Sequence, residues 1–283
     1  MATTEPRMDD VPALEVHAVS KYFHPRGKPP VVALKAATIT VKRGEFVSLL
    51  GPSGCGKTTL FNMIAGLIEP SEGRIVIDGE DVTGTAGHVG YMLQKDLLLP
   101  WRTILKNVTL GAQLLGRDIR AVEQEARSLF ERFGLKGFED AWPANLSGGM
   151  RQRAAVMRTL LSGRDILLLD EPFGALDAMS RANMQAWLLD IWKEYERTVV
   201  FVTHDIDEAI FLSDRIIVMG ARPGSVRLEI TVESPRPRVL DDVETAAYRA
   251  QLKQRILSVI HGGPAADGPH QTTPSAAPVG AAG

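Results

Sequence analysis

Apolar and polar residues alternate along Leu14-Glu-Val-His-Ala-Val19, the period of a strand with one buried face. A Pro/Gly/Lys loop from His24 to Pro30 separates it from a second strand-like stretch, Val31 to Val41, and Lys42-Arg43-Gly44 then turns the chain. Glu45-Phe-Val-Ser-Leu-Leu50 is almost continuously apolar, as in a strand covered on both faces. It runs into a glycine-rich segment and then an apolar stretch, Thr58 to Ala65, that predicts a helix. Arg74-Ile-Val-Ile-Asp78 predicts a further strand before Gly79.

From Ile104 to Phe133 the pattern turns helical, with Val122, Ala126, Leu129, Phe130 and Phe133 on one face. After Trp142-Pro143, a turn at Ser147-Gly148-Gly149 opens another helix, Met150 to Leu161. Strand and helix then alternate. Asp165 to Asp170 reads as a buried strand, and Met184, Trp187, Leu188, Ile191, Trp192 and Tyr195 mark an amphipathic helix. Thr198 to Thr203 is a strand, Ile206 to Leu212 a helix and Arg215 to Met219 a strand. Such alternation predicts an α/β chain with a mainly parallel sheet covered by helices. Residues 243–260 predict a last helix. Residues 1–12 read as a flexible arm. Residues 262–283 hold no large apolar side chain except Val279, too little burial to offset the entropy of ordering, so a disordered tail is expected.

Composition narrows the class. The 283 residues amount to one large domain or two modest ones, 45% hydrophobic and 23% charged, as in ordinary globular proteins. The formal charge of −2 argues against a dedicated nucleic-acid binder. The single cysteine, Cys55, excludes an internal disulfide framework and a cysteine-cluster metal site. No apolar run reaches the ~18 residues of a membrane span, and the acidic start lacks a signal-peptide pattern. The expectation is a soluble intracellular chain that touches a membrane only through a partner.

The chemistry begins at Gly51-Pro52-Ser53-Gly54-Cys55-Gly56-Lys57-Thr58, which matches G-x-x-x-x-G-K-[ST] between a predicted strand and a predicted helix. The glycines let backbone N–H groups turn inward around a phosphate, and the helix N-terminus adds its dipole. Lys57 brings positive charge to the β and γ phosphates, the Thr58 hydroxyl can ligate Mg²⁺, and Thr59 can reach a further phosphate oxygen. Kinases and GTPases share this motif. The strand Ile166-Leu-Leu-Leu-Asp170 followed by Glu171 decides more, because an Asp at a strand end can hold Mg²⁺ and an adjoining Glu can orient or deprotonate water. That pairing favours hydrolysis over transfer to a second substrate. His204, at the carboxyl end of another strand, is placed to donate to a γ-phosphate oxygen. Cys55 lies inside the loop, so thiol alkylation is expected to inhibit and a bound nucleoside triphosphate to protect.

Leu146-Ser-Gly-Gly-Met-Arg-Gln-Arg153, upstream of Asp170, resembles the signature motif of ABC transporter nucleotide-binding subunits. Gln94 matches that family's Q-loop glutamine, Gly174-Ala-Leu-Asp177 its D-loop and His204 its switch histidine. Phe23 matches the aromatic residue that stacks on adenine, with Tyr22 the alternative. Met150 replaces the commoner glutamine of the signature. The resemblance implies a P-loop ABC ATPase core over 13–235, with an N-terminal antiparallel β subdomain, a helical subdomain at about 95–150 and a helical extension at 236–261. It implies ATP and Mg²⁺ as cofactors, with Thr58, Gln94 and Asp170 at the metal and Glu171, His204 and Gln94 in catalysis. It also implies a head-to-tail homodimer in which Ser147, Gly148 and Gly149 reach the nucleotide of the other subunit.

The segments Gln94–Thr103, Asp170–Ala178 and Thr203–Asp214 are similar to the nitrate/sulfonate/taurine branch of bacterial importers. That likeness implies a membrane permease partner, an extracytoplasmic solute-binding protein, no nucleic acid, and a peripheral place on the cytoplasmic face of the inner membrane. Leu97-Leu98-Leu99-Pro100-Trp101 is either the permease contact or internal packing. A non-transport ABC ATPase is disfavoured by the absence of tandem ATPase units, a long coiled coil and zinc cysteines. Export rather than import is disfavoured by the narrower likeness.

Overall fold

The computed structural model describes residues 11–174, 176–236, 238 and 243–261. Most of the expected arm (1–10) and the expected tail (262–283) lie outside the described residues.

The elements in chain order are β1 (Leu14–Phe23), β2 (Val31–Val41), β3 (Phe46–Leu50), α1 (Lys57–Ile64), β4 (Glu72–Ile77), β5 (Glu80–Asp81) and β6 (Gly90–Met92). Then follow α2 (Ile104–Val108), α3 (Leu110–Leu114), α4 (Ile119–Phe130), α5 (Gly148–Leu161), β7 (Ile166–Asp170) and α6 (Ala178–Tyr195). The chain continues through β8 (Thr198–Thr203), α7 (Ile206–Leu212), β9 (Arg215–Met219), β10 (Val226–Thr231) and α8 (Val243–Ile260).

Two sheets result. An antiparallel sheet runs β2-β1-β4-β5, and a six-stranded sheet runs β10-β9-β3-β8-β7-β6. In the second, β3, β6, β7, β8 and β9 are parallel and only β10 is antiparallel. Parallel strands buried on both faces must be apolar throughout, and β3, β7 and β8 are buried at every position. Their side chains alternate between cores. Leu167, Leu169, Val199 and Phe201 pack with α2, α4, α5 and α6 on one side. Ile166, Leu168, Val200 and Val202 pack with α1 and the antiparallel sheet on the other. A third cluster joins α7, β9, β10 and α8 through Ile210, Val218, Leu228 and Ile256.

The helical middle is more broken than its periodicity predicts. The stretch 104–133 divides into α2, α3 and α4, with breaks at Thr109 and at Leu115–Asp118. Asp118 caps α4 by accepting from the Arg120 amide. Helix α5 begins at Gly148, two residues before the expected Met150, because Ser147 serves as its N-cap. β1 runs on to Phe23, held by pairing with β2. The strand β10 was missed, although the burial of its Val-Arg-Leu-Glu-Ile-Thr segment alternates as an edge strand's should.

Candidate active site

The strands β3, β8, β7 and β6 are adjacent and parallel, so their carboxyl ends open along one edge of the sheet. Ligands of open α/β sheets bind at that edge. Each of the four strands delivers a chemically active segment there: Gly51–Thr58 after β3, His204 after β8, Asp170 and Glu171 at the end of β7, and Gln94 after β6.

The loop after β3 is shaped by its glycines. Gly54 and Gly56 sit at φ +77° and +105°, a region L side chains rarely adopt. Gly56 is the N-cap of α1 and offers no side chain to the first-turn N–H groups, which leaves them to a ligand. The Lys57 side chain folds back across the loop, its Nζ donating to Gly51 O (2.7 Å) and Pro52 O (3.1 Å). Ser53, Gly54 and Thr58 face solvent, while Cys55 is buried with its sulfur 3.8 Å from Lys57 Nζ. Cys55 therefore belongs to the loop through its backbone, and its thiol is more enclosed than an easily alkylated group would be.

Thr58 Oγ1 donates to Asp170 Oδ2 at 3.1 Å. Burial pushes the Asp170 carboxyl above the usual aspartate range, and the neighbouring Glu171 charge pushes the same way. The Thr58 hydroxyl and the Lys57 charge oppose this. A buried carboxylate beside a hydroxyl suits a small hard cation that brings its own waters and phosphate oxygens. Among the described residues no cluster of His, Cys, Asp and Glu could hold a metal alone. The Thr58–Asp170 pair thus fits Mg²⁺ arriving with a nucleotide.

Glu171 lies at φ +46° and is anchored by its N–H to Val202 O (3.0 Å). Its carboxylate gathers the two other predicted residues. Gln94 Nε2 donates to Oε2 at 3.1 Å, and His204 Nδ1 lies 3.3 Å from Oε1. Residues separated by 77 and by 33 positions in sequence therefore meet on one carboxylate.

Phe23 ends β1 as a residue 41% exposed, and the Lys21 ammonium lies 5.5 Å from the ring centre. Tyr22 is engaged elsewhere, its hydroxyl donating to Glu72 Oε2 at 3.0 Å. Register places Phe23 opposite Val31, two residues from Ala33, whose carbonyl abuts Gly56.

Ser147, Gly148 and Gly149 are not brought to this loop. Ser147 Oγ accepts from the Met150 amide at 3.3 Å, and the N-terminus of α5 opens on a separate cavity of about 410 Å³. Arg153, Leu176, Asp177, Ser180 and Asn183 also line that cavity, and no residue of the Gly51–Thr59 loop does. The D-loop therefore packs beside the signature turn, and Asp177 caps α6 through the Ser180 amide at 3.0 Å.

One group that sequence reasoning missed immediately flanks His204 in the chain. Asp205 Oδ1 accepts from the Asp207 and Glu208 amides, capping α7. The Glu208 carboxylate turns inward to accept from Thr203 Oγ1 (2.6 Å) and Gln185 Nε2 (3.1 Å), and its burial raises its pKa. The Asp-x-x-Glu spacing after an apolar strand was the available signal, since it resembles a capping box.

A phosphate-wrapping loop, a hydroxyl–carboxylate pair fit for Mg²⁺ and a carboxylate held between an amide and an imidazole, all on one sheet edge, define a P-loop nucleoside triphosphatase. The comparisons make that class specific. The sequence model of the ABC transporter family matches residues 34–174. An uncharacterised ABC transporter ATP-binding protein of Methanocaldococcus jannaschii is 45% identical over 247 residues, covering 87% of this chain and 91% of the relative. The aliphatic sulfonates import ATP-binding protein SsuB of Bacillus cereus is 44% identical over 243 residues, covering 86% and 95%. A dimeric ATP-binding cassette in a post-hydrolysis state, bound to ADP and Pi, aligns at TM-score 0.66 and 31% identity, covering 78% of this chain and all of that one. The chain belongs to the ABC transporter ATP-binding family and is an ATPase coupled to transport. No helix among the described residues is long and apolar enough to cross a membrane.

Proposed function

We propose that this chain energises import of a small anionic solute, with a sulfonate such as taurine or a similar anion as the first class to test. Support for that class comes from the SsuB relatives and from the importer-like segments around Gln94, Asp170 and Thr203. The working unit is a head-to-tail pair of chains on a separate permease, at the cytoplasmic face of the membrane, supplied by an extracytoplasmic solute-binding protein. Nucleic acid has no part in it.

The observation that carries the hydrolytic reading is the Glu171 carboxylate between Gln94 Nε2 and His204 Nδ1. Glu171 orients and deprotonates the attacking water, and His204 holds the γ-phosphate oxygen. Lys57 and the loop amides of Gly51 to Thr59 bind the β and γ phosphates, and Phe23 stacks on adenine. Thr58, Gln94 and Asp170 would hold Mg²⁺, which when bound neutralises phosphate charge.

The pairing follows from what the chain cannot do alone. The α5 N-terminus is an anion site by its dipole and its unbonded N–H groups. It opens on a cavity that this chain's own phosphate loop does not line, so Ser147, Gly148 and Gly149 serve the nucleotide of a second copy. Toward the permease, the Leu97–Trp101 segment divides. Leu98 is buried and makes internal packing, while Leu97 and Trp101 are exposed and supply the contact. The test is affinity capture of the tagged chain from gently solubilised membranes. A multi-span permease recovered in equal amount supports the proposal. Recovery with ribosomes or DNA-processing proteins alone refutes it.

A further inference from the structure

The turn between β9 and β10, Gly220 to Ser225, is remote in sequence from the phosphate loop yet lies against it. Three positions of the loop rest on neighbouring backbone. A Cβ on Gly51 would stand 2.9 Å from Met219 O, at the end of β9. A Cβ on Gly56 would stand 2.8 Å from Ala33 O, on β2. A Cβ on Gly224 would stand 1.8 Å from Cys55 O, the peptide in the middle of the loop. Gly224 is itself pinned to β2, its N–H donating to Ala33 O (3.1 Å) and its carbonyl accepting from Lys35 N (2.8 Å).

We propose that Gly224 is a positioning residue of the ATP site: its bare Cα, fixed to β2, sets where the Cys55 peptide and hence the phosphate-binding loop can lie. The steric argument gives the sign. Real Cβ atoms essentially never approach another heavy atom within 3.0 Å, so an alanine at 224 must separate from Cys55 O by at least 1.2 Å more. The obstructing atom is backbone and cannot rotate away. Two hydrogen bonds to β2 hold the turn, so the displacement falls on the loop. Loss of one hydrogen bond from the loop to a charged phosphate oxygen is enough to cost on the order of 10- to 100-fold in affinity. Gly220, in the same turn, makes the natural control. The atoms nearest a Cβ there belong to the exposed Arg227 side chain, at 2.8 Å and beyond, which is flexible and can move.

The inference rests on Gly51–Thr58 being the ATP phosphate site, so Lys57→Ala is measured alongside. The experiment is equilibrium binding of ATP without Mg²⁺ to the full chain, with thermal melting of each variant. Gly224→Ala is expected to weaken ATP binding by about 10- to 100-fold, while Gly220→Ala stays within about threefold of the unsubstituted chain. Unchanged ATP affinity in Gly224→Ala, or equal loss in both glycine variants, overturns the proposal. Unchanged affinity in Lys57→Ala instead overturns the site assignment beneath it. Should Gly224→Ala fail to fold, hydrogen exchange on the unsubstituted chain decides. The Gly224 and Lys35 amides are expected to exchange more slowly when ADP is added, and unaltered exchange refutes the coupling.

Discussion

Glu171→Gln isolates the chemistry from the fold. The substitution keeps shape and volume, and the Glu171 N–H bond to Val202 O is untouched, so the end of β7 stays where it is. What changes is the carboxylate. In the unsubstituted chain one oxygen accepts from Gln94 Nε2 at 3.1 Å and the other faces His204 Nδ1 at 3.3 Å. A glutamine retains one accepting oxygen, loses the negative charge beside the imidazole and cannot take a proton from water. General-base catalysis contributes roughly 10²–10⁴-fold, which is about 3–5 kcal/mol of barrier. The assay is steady-state phosphate release at saturating MgATP, paired with equilibrium ATP binding and size-exclusion chromatography. The expected outcome is a kcat lower by about 10²-fold or more, ATP affinity retained, and an ATP-dependent dimer that persists because its nucleotide is not consumed. A kcat within about threefold of the unsubstituted enzyme would remove Glu171 from the proton-transfer role, whatever the dimer does.

Lys57→Ala should weaken ATP binding by at least about tenfold, the loss of one charge-assisted phosphate contact, and filter binding with unchanged affinity would count against the loop. Cys55, buried beside Lys57, should label with maleimide far more slowly than a free thiol; labelling should inhibit hydrolysis, and ATP should slow it further. Fast labelling with activity kept would contradict the burial. Arg238, whose guanidinium donates to Ile210 O, Phe211 O and Ser213 O at 2.7–3.0 Å, closes the C-terminal end of α7. Arg238→Met leaves those carbonyls unmet and should cost about 2–3 kcal/mol in a denaturant titration; an unchanged midpoint would show that water replaces it freely. Burial raises the Glu208 carboxyl, so the folded chain holds that proton more tightly than the unfolded one. This contribution is present below the unfolded pKa and is lost as pH rises through the folded one. Relative to the unsubstituted chain, Glu208→Gln should therefore lose stability as pH falls through that window. Urea midpoints whose difference does not vary with pH would refute this.

Contiguous chemistry was legible in the sequence. Gly51 to Thr58 needs its glycines, lysine and hydroxyl at fixed spacing because one turn of backbone wraps one phosphate, and the structure places them in that order at the head of α1. The fully apolar runs of β3, β7 and β8 announced a parallel sheet because such strands are covered on both faces. Gln94 and Phe23 were reached only through likeness to a family, since neither lies in a segment whose spacing carries a mechanism. The edge strand β10, three residues of β6 and the breaks within 104–133 went unread because short elements depend on what they pack against.

What the sequence alone determined was therefore local: a phosphate loop, an acidic strand end, a signature turn and an alternation of strand and helix. The tertiary structure decided which of these share a site. The order β3-β8-β7-β6 sets Gly51, His204, Glu171 and Gln94 along one edge. The same fold turns Ser147–Gly149 toward another cavity and lays Gly224 beneath Cys55. The physical reason is that hydrogen bonding, burial and steric exclusion act across space, and strand order, which no single segment encodes, decides what lies next to what.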